Sequence, residues 1–97
     1  MVEDPFNRET ELIVPNEILR AARSALGMSQ ADLAKLSGVA VRTIMRVERD
    51  ERVAVRTLQR LQVALESCGL EFVPSEAGHG PGLRIPLSLI KRDDLRF

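Results

Sequence analysis

The chain has 97 residues with equal numbers of basic and acidic side chains, 14 of each, and 44% of its residues are hydrophobic. A chain of this length suits one small domain. Its longest hydrophobic stretches span only a few residues, which excludes a transmembrane helix of about 20 residues, and the acidic residues near its N-terminus exclude a signal peptide. We therefore expect a cytoplasmic protein with no membrane partner.

Cysteine, histidine and aromatic residues are too scarce for several functions. One cysteine, Cys68, and one histidine, His79, allow neither an intrachain disulfide nor a zinc site with four protein ligands. Aromatic residues make up 3% of the chain, which excludes an aromatic platform for single-stranded nucleic acid. No carboxylate pair, activated nucleophile or metal cluster lies on a common element, so we expect no enzyme, no cofactor and no metal.

The balanced net charge conceals a basic middle segment. Residues 1–15 carry one basic and four acidic side chains, residues 16–63 carry nine and five, and residues 64–97 carry four and five. Arginine outnumbers lysine by 12 to 2, and its planar fork suits bidentate contact with phosphate or guanine. A genome rich in G and C would also favour arginine, so charge alone does not select a partner.

Hydrophobic spacing predicts a tail, a helical domain and an extension, over residues 1–15, 16–68 and 69–97. A first helix is expected over about residues 16–26, with Asn16 as its N-cap. A second helix follows Ser29, which forms a capping-box pair with Asp32, and Gly38 ends it with a tight turn.

A third helix is predicted over about residues 40–49. Ile44 and Val47 lie on one face of it, which leaves an outward face formed by Val41, Arg42, Met45, Arg46 and Arg49. A fourth helix is expected from Val55 to Cys68, with Gly69 as its C-cap.

Beyond Gly69 the hydrophobic residues alternate with period two, over residues 70–73 and again over residues 83–85. This pattern predicts a β-hairpin. Because a hairpin of this size does not fold alone, it packs on the helices or pairs across a dimer.

The segment from Ser29 to Glu48 has the order helix, glycine turn, helix, with the small Ala34 where two helices approach closely. It resembles the Cro/repressor-like (Xre-type) helix-turn-helix family of bacterial and phage transcriptional regulators. The resemblance covers about residues 16–68 and rests on Gly27-Met28-Ser29-Gln30-Ala31-Asp32-Leu33-Ala34, Gly38-Val39, Thr43-Ile44 and Glu48. It implies a mostly α fold: a four-to-five-helix repressor-like domain with a short C-terminal β-hairpin or strand extension.

The resemblance also implies roles for ten residues. Val41, Arg42, Met45 and Arg46 match base-contacting positions in the major groove, where arginine can bond guanine O6 and N7. The phosphate-contacting candidates are Ser29, Gln30, Thr43 and Arg49. Arg23 and Glu48 match a structural ion pair. Each of these side chains also has a plainer interpretation, as solvated surface or as packing.

Two positions depart from the family pattern. Ala40 stands where a Ser or Thr commonly caps the recognition helix, which removes a cap bond worth about 1 kcal/mol. Asp50 and Glu51 follow that helix, and their charges would repel nearby phosphates.

The favoured function is a sequence-specific double-stranded DNA-binding regulator at the bacterial nucleoid. It would act as a repressor, as a homodimer on a palindromic operator, through the helix over residues 40–49. The alternative is a protein-interaction module with weak or no DNA binding, such as an antitoxin-like partner of a toxin or a component of a larger regulator. The acids Asp50 and Glu51 motivate this alternative.

Overall fold

The computed structural model describes residues 14–90. In chain order these residues form α1 (Asn16–Ala25), α2 (Gln30–Ser37), α3 (Val41–Glu48), α4 (Val55–Glu66), β1 (Glu71–Val73), β2 (Gly82–Arg84) and a 3-10 turn (Leu87–Leu89). The predicted fold class is confirmed, since helices dominate and a short antiparallel hairpin follows them. Predictions that concern residues 1–13 and 91–97 lie outside the described part of the chain.

The start of α2 confirms the predicted capping box. Ser29 Oγ accepts a hydrogen bond from the Asp32 amide at 2.9 Å, and Asp32 Oδ2 accepts one from the Ser29 amide at 3.0 Å. The bond from the Ser29 amide lowers the pKa of the Asp32 carboxyl. The predicted cap of α1 is wrong by one residue, because Pro15 is the N-cap and its carbonyl accepts from the amides of Ile18 and Leu19.

The helix ends differ slightly from the prediction. The third helix is one residue shorter at each end than residues 40–49, since Ala40 and Arg49 are its caps. α4 ends before Cys68 because the amides of Cys68 and Gly69 bond carbonyls three residues back, in a tighter turn. Gly69 has φ +92° and a Cβ there would lie 2.8 Å from the Pro86 ring, so this turn requires glycine.

The core lies between the four helices. α2 packs against α3 and α4, and α1 packs against the same two helices. The largest fully buried side chains are Leu33, Ile44, Leu61, Leu65 and Val47. Gln62 is the buried polar residue of α4, and its Oε1 accepts a bond from the Val14 amide at 3.3 Å. This bond fixes the chain where it enters α1.

The hairpin folds back onto the helices of its own chain. Phe72 pairs with Leu83 across the two strands. Leu70 and Phe72 belong to the same buried cluster as the helices, and Leu83 and Ile85 pack against that cluster. The sequence left two placements open for the hairpin, on its own helices or across a dimer. The hairpin packs on its own helices, which cover these side chains without a partner.

Candidate nucleic-acid interface

α2, the turn at Gly38 and α3 form the helix-turn-helix unit. Gly38 takes the left-handed conformation, with φ 76° and ψ 10°, and its amide bonds the Ala34 carbonyl. A residue with a Cβ adopts this conformation less readily than glycine does. Val39 is buried directly after the turn. These two residues set the direction in which α3 leaves α2.

α3 has one buried and one exposed face. Ile44 and Val47 are 0% and 1% exposed, so they attach the helix to the core. The four residues predicted to contact bases all lie on the exposed face, since positions i, i+1, i+4 and i+5 of a helix are neighbours; they are Val41, Arg42, Met45 and Arg46.

The N-terminal turn of α3 carries no side-chain cap and no acidic residue, because Ala40 is the N-cap. Its first amides therefore have no carboxylate or hydroxyl competing for them. Helix N-termini with such amides attract anions through the helix dipole. The departure at Ala40 thus leaves the start of α3 electrostatically suited to a negatively charged partner.

Arg23 and Glu48 form a bidentate ion pair that joins α1 to the end of α3. Arg23 Nε donates to Glu48 Oε2 at 2.6 Å and Arg23 Nη2 donates to Glu48 Oε1 at 2.9 Å. Their side chains are 19% and 9% exposed. Arg23 Nη1 also donates to the Met28 carbonyl at 2.7 Å, so this one guanidinium joins α1 both to the segment before α2 and to the end of α3.

Gln30 contributes a further bond to the same carboxylate. Its Nε2 donates to Glu48 Oε1 at 3.0 Å. Burial raises the pKa of Glu48, but the hydrogen bonds from Arg23 and Gln30 outweigh burial and leave the pKa below its usual range. The bond to Glu48 raises the pKa of Arg23. The pair is therefore ionised at neutral pH.

The bond between Gln30 and Glu48 was missed by sequence reasoning, which considered only a phosphate contact for Gln30. An amide nitrogen carries two hydrogens, so Nε2 can donate to Glu48 and still offer one hydrogen to another acceptor. Ser29, the residue before it, uses its oxygen as acceptor in the capping box and keeps its hydroxyl hydrogen for donation. Both side chains thus retain a donor at the start of α2.

Arg46 and Arg49 share the carboxylate of Glu51. Arg46 Nε lies 3.3 Å from Glu51 Oε1, and Arg49 Nε lies 3.1 Å from Glu51 Oε2. Arg46 Nη2 also donates to the Arg52 carbonyl at 3.2 Å. All three charged side chains are substantially exposed. The sequence placed the acid after the helix but gave no signal that it would bind both arginines.

Thr43 lies in a depression of about 510 Å³ between α3 and the start of α4. The depression is lined by Thr43, Arg46, Arg52, Val53, Ala54 and Thr57. Two hydroxyls and two guanidinium groups therefore border it. Arg52 and Thr57 were not singled out by sequence, because they lie outside the two helices of the motif.

Within residues 14–90, no group of three or more His, Cys, Asp or Glu side chains is arranged to hold a metal ion. None of the helices there is long and apolar enough to cross a membrane.

The fold and this exposed helix define a helix-turn-helix module whose second helix presents arginines to solvent. The sequence model of the helix-turn-helix family HTH_3 matches residues 19–73, and the chain belongs to this family, the Cro/C1-type (Xre-type) class that the sequence resembles. It is accordingly a DNA-binding helix-turn-helix regulator, in a family of regulators rather than enzymes. The comparison with curated proteins gives no match.

Proposed function

We propose that this protein binds a specific double-stranded DNA sequence and represses transcription as a homodimer on a palindromic operator. Residues 16–68 form the DNA-binding domain, residues 69–97 provide the dimerisation segment, and residues 1–15 form a tail. The observation that carries the proposal is the exposed face of α3, where Arg42 and Arg46 lie beside two apolar side chains. A regulator of this kind acts where the DNA is, at the bacterial nucleoid.

α3 suits entry into the major groove, which is about 12 Å wide and distinguishes all four base pairs. Within residues 14–90, Arg42 belongs to none of the ion pairs, so its guanidinium can approach guanine O6 and N7 without first leaving a partner. Val41 is 38% exposed and Met45 is 41% exposed. Their apolar atoms suit the methyl group of thymine, and together with Arg42 and Arg46 they form the base-reading surface.

Phosphate contacts would position that surface on the duplex. Ser29 and Gln30 lie at the N-terminus of α2, where hydroxyl, side-chain amide and helix dipole all favour a backbone oxygen. Thr43 borders the depression beside α3, and Arg49 is 62% exposed at its C-terminal end. We assign the phosphate contacts of the complex to these four residues.

A dimer follows from the small reach of one recognition helix. One helix covers only a few base pairs, whereas two helices related by a two-fold axis reach half-sites about 34 Å apart. In the C-terminal segment Leu87 is 79% exposed and Leu89 is 50% exposed. Because the hairpin core is already covered by its own helices, these two leucines are the apolar surface that a partner subunit would cover.

A second candidate function is an interaction module whose partner is a toxin or a larger regulator. The observation in its favour is that Asp50 and Glu51 add two carboxylates beside the exposed face of α3. Such charges disfavour a polyanion and suit a basic protein surface.

Binding to duplex DNA separates the two functions. Duplexes are selected from a random pool with the full chain, and affinity for the selected sequence is measured over a salt series. DNA binding predicts affinity that falls steeply with salt and is lost when the selected sequence is scrambled. Arg42→Ala should relax the preference for one base pair, while the matched control Arg84→Ala, an exposed arginine on β2, should not. Absent or salt-independent binding overturns the proposal and favours the interaction module.

Sedimentation of the full chain tests the dimer. We expect a dimer at micromolar concentration for the parent and a monomer for the double variant Leu87→Ser and Leu89→Ser. Val63→Ser, which alters a side chain 60% exposed on α4, is the control and should remain dimeric. A monomeric parent, or a double variant that stays dimeric, contradicts the assigned interface.

A further inference from the structure

The turn after α3 places a carboxylate beside the proposed DNA-binding face through its backbone. Asp50 has φ 62°, its amide donates to the Val47 carbonyl, and the Glu51 amide donates to the Arg46 carbonyl, both at 2.9 Å. These two bonds form a Schellman motif, which turns the chain back over the last turn of a helix. Glu51 is therefore held next to Arg46 by hydrogen bonds that do not involve either side chain.

The Glu51 carboxylate divides its two oxygens between two arginines. Oε1 pairs with Arg46 Nε at 3.3 Å and Oε2 pairs with Arg49 Nε at 3.1 Å. Since Arg46 Nη2 bonds the Arg52 carbonyl as well, the Nε and Nη2 edge of Arg46 is occupied. Bidentate contact with a guanine or a phosphate uses an edge of this kind. Arg46 must leave Glu51 before it can make such a contact through this edge.

We propose that Glu51 acts as an internal substitute for a DNA phosphate, which holds Arg46 and Arg49 in the free protein and competes with the duplex for both. The inference rests on the proposed DNA-binding function and assigns to that site a residue that limits its affinity. On unrelated DNA, no guanine lies where Arg46 could bond it after leaving Glu51. Both arginines therefore remain paired with Glu51. On the operator, the guanine contact replaces the bond to Glu51.

This competition costs the most affinity where the DNA makes the arginines leave Glu51. Binding to unrelated DNA depends almost entirely on arginine and lysine contacts with phosphates, and Glu51 removes two arginines from that set. Binding to the operator also gains base contacts from Arg42, which Glu51 does not touch. The operator complex gives up the whole bond to Glu51, whereas the complex with unrelated DNA forgoes only phosphate contacts that are weaker than this bond. Glu51 therefore lowers affinity for the operator at least as much as affinity for unrelated DNA.

Glu51→Gln is the variant that tests this role, and Asp50→Asn is its matched control. Both remove one negative charge from the same turn. Asparagine tolerates the left-handed conformation of position 50 and keeps an oxygen for the bond from Asn16 Nδ2, which is 3.3 Å long in the parent. Asp50 has no arginine partner within residues 14–90. The difference in DNA affinity between the two variants therefore measures the effect of the arginine contacts, separately from the effect of net charge.

The experiment measures fluorescence anisotropy with two labelled duplexes, one selected from a random pool by the parent and one scrambled version of it. For Glu51→Gln we expect binding to the selected duplex about twofold tighter than for the parent, and binding to the scrambled duplex tighter by no more than that factor. The slope of log affinity against log salt on the scrambled duplex should steepen by about two, roughly one for each arginine released. Asp50→Asn should change both affinities by the same small factor. Glu51→Asp, which keeps the charge on a shorter side chain, should shift affinity in the direction of Glu51→Gln.

Three outcomes would overturn the inference. Equal effects of Glu51→Gln and Asp50→Asn would show that only net charge matters. Weaker binding of Glu51→Gln, with lost preference at one C·G pair, would show that Glu51 accepts a bond from cytosine instead. Failure of both the parent and Glu51→Gln to bind any duplex at low salt would overturn the proposed function itself, and this result is distinct from the first two.

Discussion

Two arginine–glutamate clusters meet at the C-terminal end of α3, and they differ in burial. In the first, the side chains of Arg23 and Glu48 are 19% and 9% exposed, and both Nε and Nη2 bond the carboxylate. In the second, the side chains of Arg46 and Glu51 are 47% and 44% exposed, and they share one bond of 3.3 Å. The same residue types thus form a closed pair and an open one within a few residues of each other.

The difference in burial assigns different roles to the two clusters. Water screens the exposed pair, and such pairs contribute about 0–1 kcal/mol, so a competing anion can open them. The partly buried pair is screened less, and removing Arg23 leaves the Glu48 carboxylate without a charged partner. The Arg23 cluster therefore holds the helix-turn-helix unit in shape, whereas the Glu51 cluster can rearrange when a ligand binds.

Removal of Arg23 should give the largest effect. For Arg23→Ala we expect the free energy of unfolding to fall by about 2–3 kcal/mol, because Glu48 would keep its charge and lose two hydrogen bonds. Chemical denaturation measures this value. The double variant with Glu48→Ala should lose less than the sum of the single variants, and Arg60→Ala, at an exposed position on α4, should change stability by less than about 0.5 kcal/mol. Additive single effects would contradict the coupling.

The two base-reading arginines should differ in importance. Arg42→Ala should weaken binding to the selected duplex by about 1–3 kcal/mol and relax the preference at one base pair. Arg46→Ala should weaken it less, because Arg46 gives up its bonds to Glu51 and Arg52 when it binds DNA. Dissociation constants for the selected duplex and its single-base variants measure both effects. Equal losses would mean that the bonds of Arg46 in the free protein have no influence.

Stability should depend on pH through Glu48. Its pKa is lowered in the folded protein, so its contribution is complete above the unfolded value of about 4.3 and is lost as the pH falls through the lower, folded value. The free energy of unfolding should therefore decrease below about pH 4. In Glu48→Gln this decrease should be smaller, and not absent, since the pKa of Asp32 is lowered too. Denaturation at a series of pH values tests this prediction. If the parent and Glu48→Gln lost stability in parallel as the pH falls, Glu48 would not be a source of the pH dependence.

The smallest effect on stability is expected at Glu51. Glu51→Gln should change the free energy of unfolding by less than about 0.5 kcal/mol, because its pairs with Arg46 and Arg49 are exposed. Thermal unfolding in low and high salt measures this, with Glu66→Gln as an exposed control on α4. A loss as large as that of Arg23→Ala would show that the second cluster is structural and would remove the contrast between the clusters.

Much of the fold could be predicted from local sequence. The capping pair of Ser29 and Asp32 and the glycine turn at Gly38 depend on residues within a few positions of each other, so the sequence predicted α2 and the turn correctly. The spacing of Ile44 and Val47 likewise identified the buried face of α3. Where the prediction was wrong, at the cap of α1 and the end of α4, the deciding hydrogen bonds belong to carbonyls that sequence patterns do not specify.

The sequence identified the residues of the candidate site, and the tertiary structure revealed which side chains they contact. The sequence by itself determined that an arginine-bearing helix follows a glycine turn, because helical periodicity and capping are local. Only the tertiary structure decided that Gln30 bonds Glu48, 18 residues away, and that Phe72 is covered by helices of its own chain. It also decided that Glu51 holds two arginines. Each of these contacts depends on how separate elements are positioned in space, and packing of the whole core sets that position.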